Sequence, residues 1–243
     1  MKNYFKYIIF VFIVSLLSSF FIFEINQETK NVIKYLPVMN KVIILDAGHG
    51  GIDPGSLSDD ESILEKDINL QITLKLKELL ESSGAIVFLT REEDVSLYEE
   101  GEGKTTREKY NENLKNRKKI IKESDADMFI SIHLNKFEQE KYYGAQTFYP
   151  EGDENSKKMA NYIQTELKRV VDNTNNRKIK SSNDLYLLKE NEIPSVLIEC
   201  GFLSNKKEAD LLTKTEYQDK IAWSIYVGIQ QYFSEFLNDN PNT

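Results

Sequence analysis

The sequence has one cysteine, two histidines, five prolines and one tryptophan in 243 residues. A single thiol, Cys200, excludes an intrachain disulfide, although one cysteine fits both a reducing compartment and an exported bacterial protein that does not use disulfides. Basic residues are outnumbered by acidic residues: the sequence has 31 Lys and Arg and 39 Asp and Glu, which gives a net charge of -8. A basic face that could neutralise phosphates is not evident in this sequence, and we do not expect nucleic-acid binding.

Internal repeats, low-complexity blocks and compact motifs such as HExxH or a P-loop are missing as well. The hydrophobic content of 40% can nevertheless supply a full core. The length suits one α/β domain of about 200 residues with a terminal extension. We place the catalytic domain at residues 41–238, after a linker at 25–40 and before a short tail at 239–243.

Residues 1–24 have the features of a membrane anchor or a signal peptide. Lys2 and Lys6 precede an apolar run from Tyr7 to Phe23, which as a helix would span roughly 25 Å at about 1.5 Å per residue. Glu24 and the residues after it lack a small-x-small cleavage site, which favours a retained anchor. We therefore expect membrane association, with the domain on the outer side of the cytoplasmic membrane.

After residue 41, short apolar runs alternate with segments of helical periodicity. This alternation predicts an α/β fold, a single domain with a six-stranded, mostly parallel sheet flanked by helices on both faces. The segments Glu92–Lys104 and Asp172–Ser182 lack a regular pattern and are predicted as loops. The predicted strands are Val42–Asp46, Ala85–Thr90, Met128–Ile132, Ala145–Tyr149, Leu185–Leu188 and Ser195–Ile198.

The two histidines each follow an apolar strand, and two glutamates belong to the same predicted edge of the sheet. His49 lies in a glycine-rich turn, His133 follows the third strand, Glu65 begins a helix and Glu199 ends the last strand. Residues at the carboxyl ends of strands converge in an open α/β sheet. Two imidazoles and one carboxylate form the ligand set of a catalytic zinc site. We therefore predict His49, Glu65 and His133 as zinc ligands and Glu199 as the catalytic base and acid.

Spacing alone leaves other roles open for these residues. A histidine at a strand end is commonly a hydrogen-bonded structural residue, and a glutamate in a first helical turn is favoured by the helix dipole. A thiol hydrolase using Cys200 and His133 is one alternative, although it gives His49 and Glu65 no role. Because side chains alternate along a strand, Cys200 should point away from the face of Glu199 and into the core.

A series of motifs runs along the chain in the order LDAGHGGIDPGS, ILEKDINL, FLTRE, FISIHLNKF, GAQTFY and VLIECGFLSNKKEADLL. The series covers residues 41–236 and resembles that of the zinc-dependent N-acetylmuramoyl-L-alanine amidases of the Amidase_3 type. The resemblance implies a six-stranded sheet flanked by helices, a Zn²⁺ ion on His49, Glu65 and His133, and catalysis by Glu199. It also implies hydrolysis of the amide between muramic acid and L-alanine of peptidoglycan.

A membrane segment followed by a bare catalytic domain resembles the germination-specific members of this family in endospore formers. That resemblance implies removal of stem peptides during muramic-δ-lactam formation in the spore cortex, in the space around the forespore. The alternative is a catalytically silent cell-wall-binding scaffold of the same fold, which the presence of all four chemical residues disfavours. Because no separate wall-binding module is recognisable, we also expect a protein partner that activates or positions the enzyme.

Overall fold

The computed structural model describes residues 2–99 and 103–239, and the chain divides into two compact units, Met1–Pro37 and Val38–Thr243. The first unit is one helix, α1 (Lys2–Tyr35), which continues through most of the predicted linker. Its stretch Tyr4–Ile25 has 22 residues with a mean hydropathy of 2.6. At about 1.5 Å per residue this stretch is long enough to cross a membrane, and a signal sequence has the same character. The end of the predicted tail, residues 240–243, lies outside the described residues.

The second unit is built on a six-stranded sheet in the order β2-β1-β3-β6-β4-β5. Four of the five neighbouring pairs are parallel, and the pair of β4 and β6 is antiparallel. The sheet is therefore mostly parallel, as predicted. Its strands are β1 (Val42–Ala47), β2 (Ile86–Leu89), β3 (Met128–Asn135), β4 (Gln146–Tyr149), β5 (Lys180–Ser181) and β6 (Ser195–Phe202).

Helices cover both faces of this sheet. Strand side chains alternate between faces, so Ile43 and Leu45 of β1 join the larger core beneath α2, α4 and α6, while Ile44 joins a smaller core beside α3. Apolar runs in the central strands thus fill two cores, which confirms the sequence interpretation. The helices are α2 (Glu65–Ser82), α3 (Thr106–Glu123), α4 (Glu154–Val170), α5 (Lys206–Leu212) and α6 (Thr215–Asp239).

Side-chain caps fix where several helices begin. Thr105 and Glu108 form a capping box at α3, and Asp153 accepts a hydrogen bond from a backbone N–H at the start of α4. Helix α2 has no such cap at Leu64. Its first residue, Glu65, instead reaches back with Oε2 to accept a 2.7 Å hydrogen bond from the backbone N–H of Ser56. The start of α2 is thereby fixed against the glycine-rich turn.

The prediction of a strand at Leu185–Leu188 is wrong. These residues enter a short 3₁₀ helix, Tyr186–Leu188, and the fifth strand is instead β5, inside a segment predicted as a loop. A short apolar run cannot distinguish a strand from a buried helical turn by periodicity. Tertiary contacts decide here, because Leu188 is buried in the smaller core and Lys118 of α3 donates to the carbonyl oxygens of Leu187 and Lys189.

Candidate active site

The three predicted metal ligands and the predicted catalytic glutamate meet at the carboxyl edge of the central strands. His49 lies in the turn after β1, and Glu65 opens α2. Strands β3 and β6 extend beyond their predicted ends, so His133 and Glu199 lie within them, directly opposite one another. The register of this strand pair shifts just after His133, between His133 and Asn135. Such irregularities re-aim side chains and are frequent beside active sites.

His49, Glu65 and His133 form a compact group of possible metal ligands. One ligand atom from each residue lies within 4.8 Å of the others. Glu65 Oε1 is 3.1 Å from His49 Nε2 and 3.1 Å from His133 Nδ1. The two imidazole rings are nearly perpendicular, at 79°, with centroids 5.0 Å apart. Two imidazoles and a carboxylate thus point at one small volume, as a divalent ion requires.

Asp53 orients the ring of His49. Its Oδ2 lies 2.8 Å from His49 Nδ1, while Asp53 Oδ1 accepts a 3.1 Å hydrogen bond from the backbone N–H of Gly55. The contact leaves Nε2 of His49 facing Glu65. Metal-binding histidines commonly have a carboxylate on their other ring nitrogen, which fixes tautomer and ring orientation.

The carboxylate of Glu65 is buried and heavily hydrogen-bonded. Besides the two histidines, Oε1 accepts from the backbone N–H of Leu134 at 3.0 Å and from Asn69 Nδ2 at 3.3 Å. Burial opposes ionisation, but the contacts with His133 and His49 outweigh it and hold the pKa of Glu65 well below its usual range. Burial likewise lowers the pKa of His49, yet hydrogen bonds to Asp53 and Glu65 raise it to about 10. The cluster therefore stabilises positive charge.

Glu199 differs from Glu65 in its environment. Its Oε2 is buried and has no hydrogen-bond partner among the described residues. Burial, opposed by His133 and aided by Glu65, raises the pKa of Glu199 to about 7. A carboxyl group that changes protonation near neutral pH can both accept and donate a proton.

Two glycines give the site the space that it needs. A Cβ atom on Gly48 would lie 2.4 Å from His133 Cε1, and one on Gly55 would lie 2.7 Å from Glu65 Oε2. Gly55 also has a φ of 69°, a left-handed conformation that side chains disfavour. Glycine at these two positions therefore lets the backbone approach the side chains of His133 and Glu65 closely.

Two buried arginines hold the turn that carries His49. Arg91 donates from Nε to the carbonyl oxygen of Ala47 at 2.9 Å and from Nη2 to that of Gly48 at 3.1 Å. Arg117 donates from Nη1 to the same Ala47 oxygen at 2.8 Å and from Nη2 to the carbonyl oxygen of His49. His49 has a φ of 64°, which is uncommon outside glycine. The guanidinium groups therefore stabilise a strained turn.

Asp46 links Arg117 to the sheet. Its carboxylate is fully buried, and Oδ1 accepts from Arg117 Nη1 at 2.5 Å and from Thr90 Oγ1 at 2.7 Å. Oδ2 accepts from Ser131 Oγ at 2.6 Å. Burial opposes the charge, but Arg117 and the two hydroxyl groups lower the pKa of Asp46 to about 2. This network joins the neighbouring strands β1 and β3, the residue after β2, and α3 beneath the site.

The predicted metal ligands and Glu199 line a polar cleft of about 410 Å³. Cys200 lies elsewhere: it is fully buried in the larger core, on the opposite side of β6 from Glu199, as strand alternation predicts. Burial also raises the pKa of its thiol well above the usual value. A buried, protonated thiol is a poor nucleophile. The cleft is lined by His49, Asp53, Gly55, Ser56, Glu65, His133, Leu134, Asn135, Lys136 and Glu199.

Three residues of the site, Asp53, Arg91 and Arg117, were not predicted from the sequence. Arg117 lies on the stripe of α3 that faces the core, and a charged residue at such a position requires a buried partner. Arg91 ends the FLTR segment just after β2. These signals predict buried arginines, but they do not name the backbone carbonyls that the arginines bind.

The chain matches the family model described as N-acetylmuramoyl-L-alanine amidase, Amidase_3, over residues 43–231. It therefore belongs to the Amidase_3 family of N-acetylmuramoyl-L-alanine amidases.

Among individual relatives, the germination-specific N-acetylmuramoyl-L-alanine amidase of Bacillus subtilis (strain 168) is 46% identical over 200 residues, covering 82% of this chain and 83% of the relative. The CwlD amidase from Clostridioides difficile, solved in complex with the GerS lipoprotein, is 69% identical with a TM-score of 0.80, covering 81% of this chain and 100% of that chain. The catalytic domain of CwlV from Bacillus (Paenibacillus) polymyxa var. colistinus is 31% identical with a TM-score of 0.66, covering 79% and 97%.

Proposed function

We propose that this protein is a zinc-dependent amidase that removes stem peptides from spore cortex peptidoglycan, with His49, Glu65 and His133 as metal ligands and Glu199 as the catalytic base and acid. Membership of the family assigns the bond, the amide between the N-acetylmuramoyl group and L-alanine. The observation that carries the mechanism is the convergence of the three ligand atoms within 4.8 Å, beside a buried oxygen of Glu199 that has no hydrogen-bond partner in the described part of the chain.

The donor set fits zinc better than a hard cation. Calcium and magnesium prefer mostly oxygen ligands, whereas zinc accepts two imidazoles and a carboxylate and leaves a position open in catalytic sites. The contact between Asp53 and His49 supplies the outer carboxylate that such sites commonly have. When bound, zinc lowers the pKa of a coordinated water to about 7 and polarises a substrate carbonyl.

The role of Glu199 is to move a proton. Its carboxylate accepts a proton from the attacking water, while the water oxygen forms a bond to the carbonyl carbon of the muramoyl lactyl group. The C–N bond then breaks, and Glu199 returns the proton to the amino nitrogen of L-alanine. Glu65 cannot take this role, because its carboxylate is engaged by two histidines and backbone N–H groups.

The cortex role is supported by the germination-specific relative with 46% identity and the CwlD relative with 69% identity. We propose a location around the forespore together with that role. A partner protein is supported by the complex of the Clostridioides difficile relative with the GerS lipoprotein, and we propose a lipoprotein partner here. The apolar stretch Tyr4–Ile25 supports a membrane-tethered or secreted protein. Tethering to the outer side of the membrane would place both enzyme and lipoprotein on the same surface.

Mass spectrometry of muropeptides after digestion of purified cortex tests this function, with metal analysis of the same full-length protein. Wild type should release peptides with a free N-terminal L-alanine and, together with its lipoprotein partner, contain one zinc per chain. Glu199→Gln should retain zinc and lose cleavage, and His133→Ala should lose both. Cys200→Ser is the control against thiol chemistry and should cleave normally. Cleavage by Glu199→Gln would contradict the assignment of Glu199 as the base. Absence of cleavage by wild type would instead favour the catalytically silent wall-binding scaffold.

The partner is tested separately with the purified full-length chain. If a lipoprotein supports the enzyme, the chain alone should contain less than one zinc per chain or cleave cortex slowly. Addition of the lipoprotein from the same organism should raise the zinc content and the rate of cleavage. A chain that is fully loaded and fully active alone contradicts the requirement.

A further inference from the structure

An aromatic cluster lies beside the candidate active site and has no part in the chemistry above. Phe137 and Tyr142 are 48% and 37% exposed. Both stack on Phe202, with ring centroids 5.7 and 6.5 Å away and interplanar angles of 19° and 30°. Phe202 is itself buried, so it forms a floor beneath the two exposed rings. We refer to Phe137, Tyr142 and Phe202 as the aromatic platform.

Arg177 lies over the ring of Phe202. Its guanidinium lies 4.3 Å from the ring centroid of Phe202. Its Nε donates to the carbonyl oxygen of Tyr143 at 2.7 Å, and its Nη1 donates to Gln146 Oε1 at 3.2 Å. Among the described residues, hydrogen bonds engage only Nε and Nη1 of this group, so Nη2 keeps donors for a ligand. The platform thus combines apolar ring faces with a neighbouring guanidinium that two hydrogen bonds hold in place.

The platform is continuous with the candidate active site through neighbouring strands. Gln146 lies directly opposite Glu199 in the antiparallel pair of β4 and β6, and such facing side chains lie on the same face of a sheet, about 5 Å apart. Phe202 ends the strand that carries Glu199, and Phe137 follows Lys136, which lines the cleft. A molecule that presents a reacting group to Glu199 can therefore extend onto the platform along one surface.

We propose that the aromatic platform binds an N-acetylhexosamine ring of the peptidoglycan glycan strand, adjacent to the muramic acid whose amide is cleaved. The inference rests on the proposed function, which brings a polymeric glycan to this cleft. A sugar ring has an apolar C–H face that packs on an aromatic ring, and its edge carries hydroxyl and acetamido groups that accept hydrogen bonds. Phe137 and Tyr142 match the face, and Arg177 matches the edge.

Binding of peptide-free glycan tests the proposal, because this probe retains the sugars and lacks the scissile amide. Isothermal titration of the full-length, zinc-loaded protein with oligosaccharides of alternating N-acetylglucosamine and N-acetylmuramic acid gives the Kd. Phe137→Ala and Tyr142→Ala should each raise this Kd about tenfold, and Tyr142→Phe should change it less than about twofold. Trp223→Ala, which removes a 47% exposed aromatic side chain of α6, is the matched control and should leave the Kd unchanged.

Circular dichroism and cooperative unfolding identify the folded variants, and Phe137→Leu replaces the ring by an apolar chain where alanine does not fold. An unchanged Kd in the folded platform variants overturns the proposal, as does an equal loss in Trp223→Ala. A platform variant that no longer binds a lipoprotein partner but keeps its glycan affinity also overturns the proposal, because that result assigns the surface to protein docking. Glu199→Gln should keep wild-type glycan affinity without cleavage, which separates this test from the test of the amidase mechanism.

Discussion

Arg117 supports the turn of His49 from inside the protein, and its replacement tests how strongly. The side chain is 1% exposed and donates to Asp46 Oδ1 at 2.5 Å, to the Ala47 carbonyl oxygen at 2.8 Å and to the His49 carbonyl oxygen. Arg117→Met keeps the length but leaves the Asp46 carboxylate buried without its cation. Removal of one partner from a buried pair costs about 3–5 kcal/mol. Since two hydroxyl groups still bind Asp46, we expect the lower value, about 3 kcal/mol.

Urea unfolding followed by circular dichroism should show this loss as a lower midpoint with an unchanged m-value. For a domain of this size, about 3 kcal/mol lowers the melting temperature by about 6–12 °C. Arg117→Lys is the matched variant and should recover only part of the loss, because an ammonium group cannot bridge Asp46 and the carbonyl groups as a planar guanidinium does. A loss below about 1 kcal/mol for Arg117→Met would refute the buried-pair argument.

A second readout separates positioning of His49 from general stability. If Arg117 holds His49 in place, folded Arg117→Met should also bind zinc about tenfold more weakly, measured by competition with a chelator. A purely structural role would lower the unfolding free energy and leave the zinc affinity of the folded protein unchanged.

Three further predictions concern the same network. Asp53→Asn removes the carboxylate that orients His49 and should weaken zinc binding by about 10–100-fold in the chelator competition, and an unchanged affinity would contradict that role. Gly48→Ala places a methyl group 2.4 Å from His133 Cε1 and should yield a folded protein without bound zinc, so normal metal content would count against the observed approach. Because the pKa of Asp46 falls from 3.8 to about 2 on folding, its stabilisation is present above pH 3.8 and is lost as the pH falls towards 2. Between pH 5 and 2, unfolding free energy of wild type should fall by about 2 kcal/mol more than that of Asp46→Asn, and equal slopes would refute the shift.

The sequence was informative where one simple rule decides the structure. Apolar runs buried on both faces predicted the central strands, and the rule that carboxyl ends of strands meet at one edge predicted the convergence of His49, His133 and Glu199. Glu65 followed from the start of the helix after the glycine-rich turn. Strand alternation placed Cys200 in the core.

Tertiary contacts decided the features that the sequence could not predict. The run Leu185–Leu188 has an apolar pattern that fits a strand or a buried helical turn, and Lys118 selects the turn by binding its carbonyl groups. The partners of Arg91 and Arg117 are backbone oxygens far away in sequence. Backbone acceptors leave no residue-specific signal in a sequence, so this part of the site became visible only in three dimensions.

The arginine contacts predict that the turn of His49 is formed without a bound metal. A left-handed conformation at a residue other than glycine costs about 1–3 kcal/mol, and hydrogen bonds from the two guanidinium groups offset that cost without an ion. The backbone N–H of Gly48 donates to the carbonyl oxygen of Ile132 at 3.0 Å, and that of Gly50 donates to the backbone carbonyl oxygen of Asp53 at 2.9 Å. Both amides should therefore exchange slowly in chelator-treated protein as well as in zinc-loaded protein, measured by hydrogen exchange and mass spectrometry. Rapid exchange confined to the metal-free form would mean that the ion, and not the arginines, orders the turn.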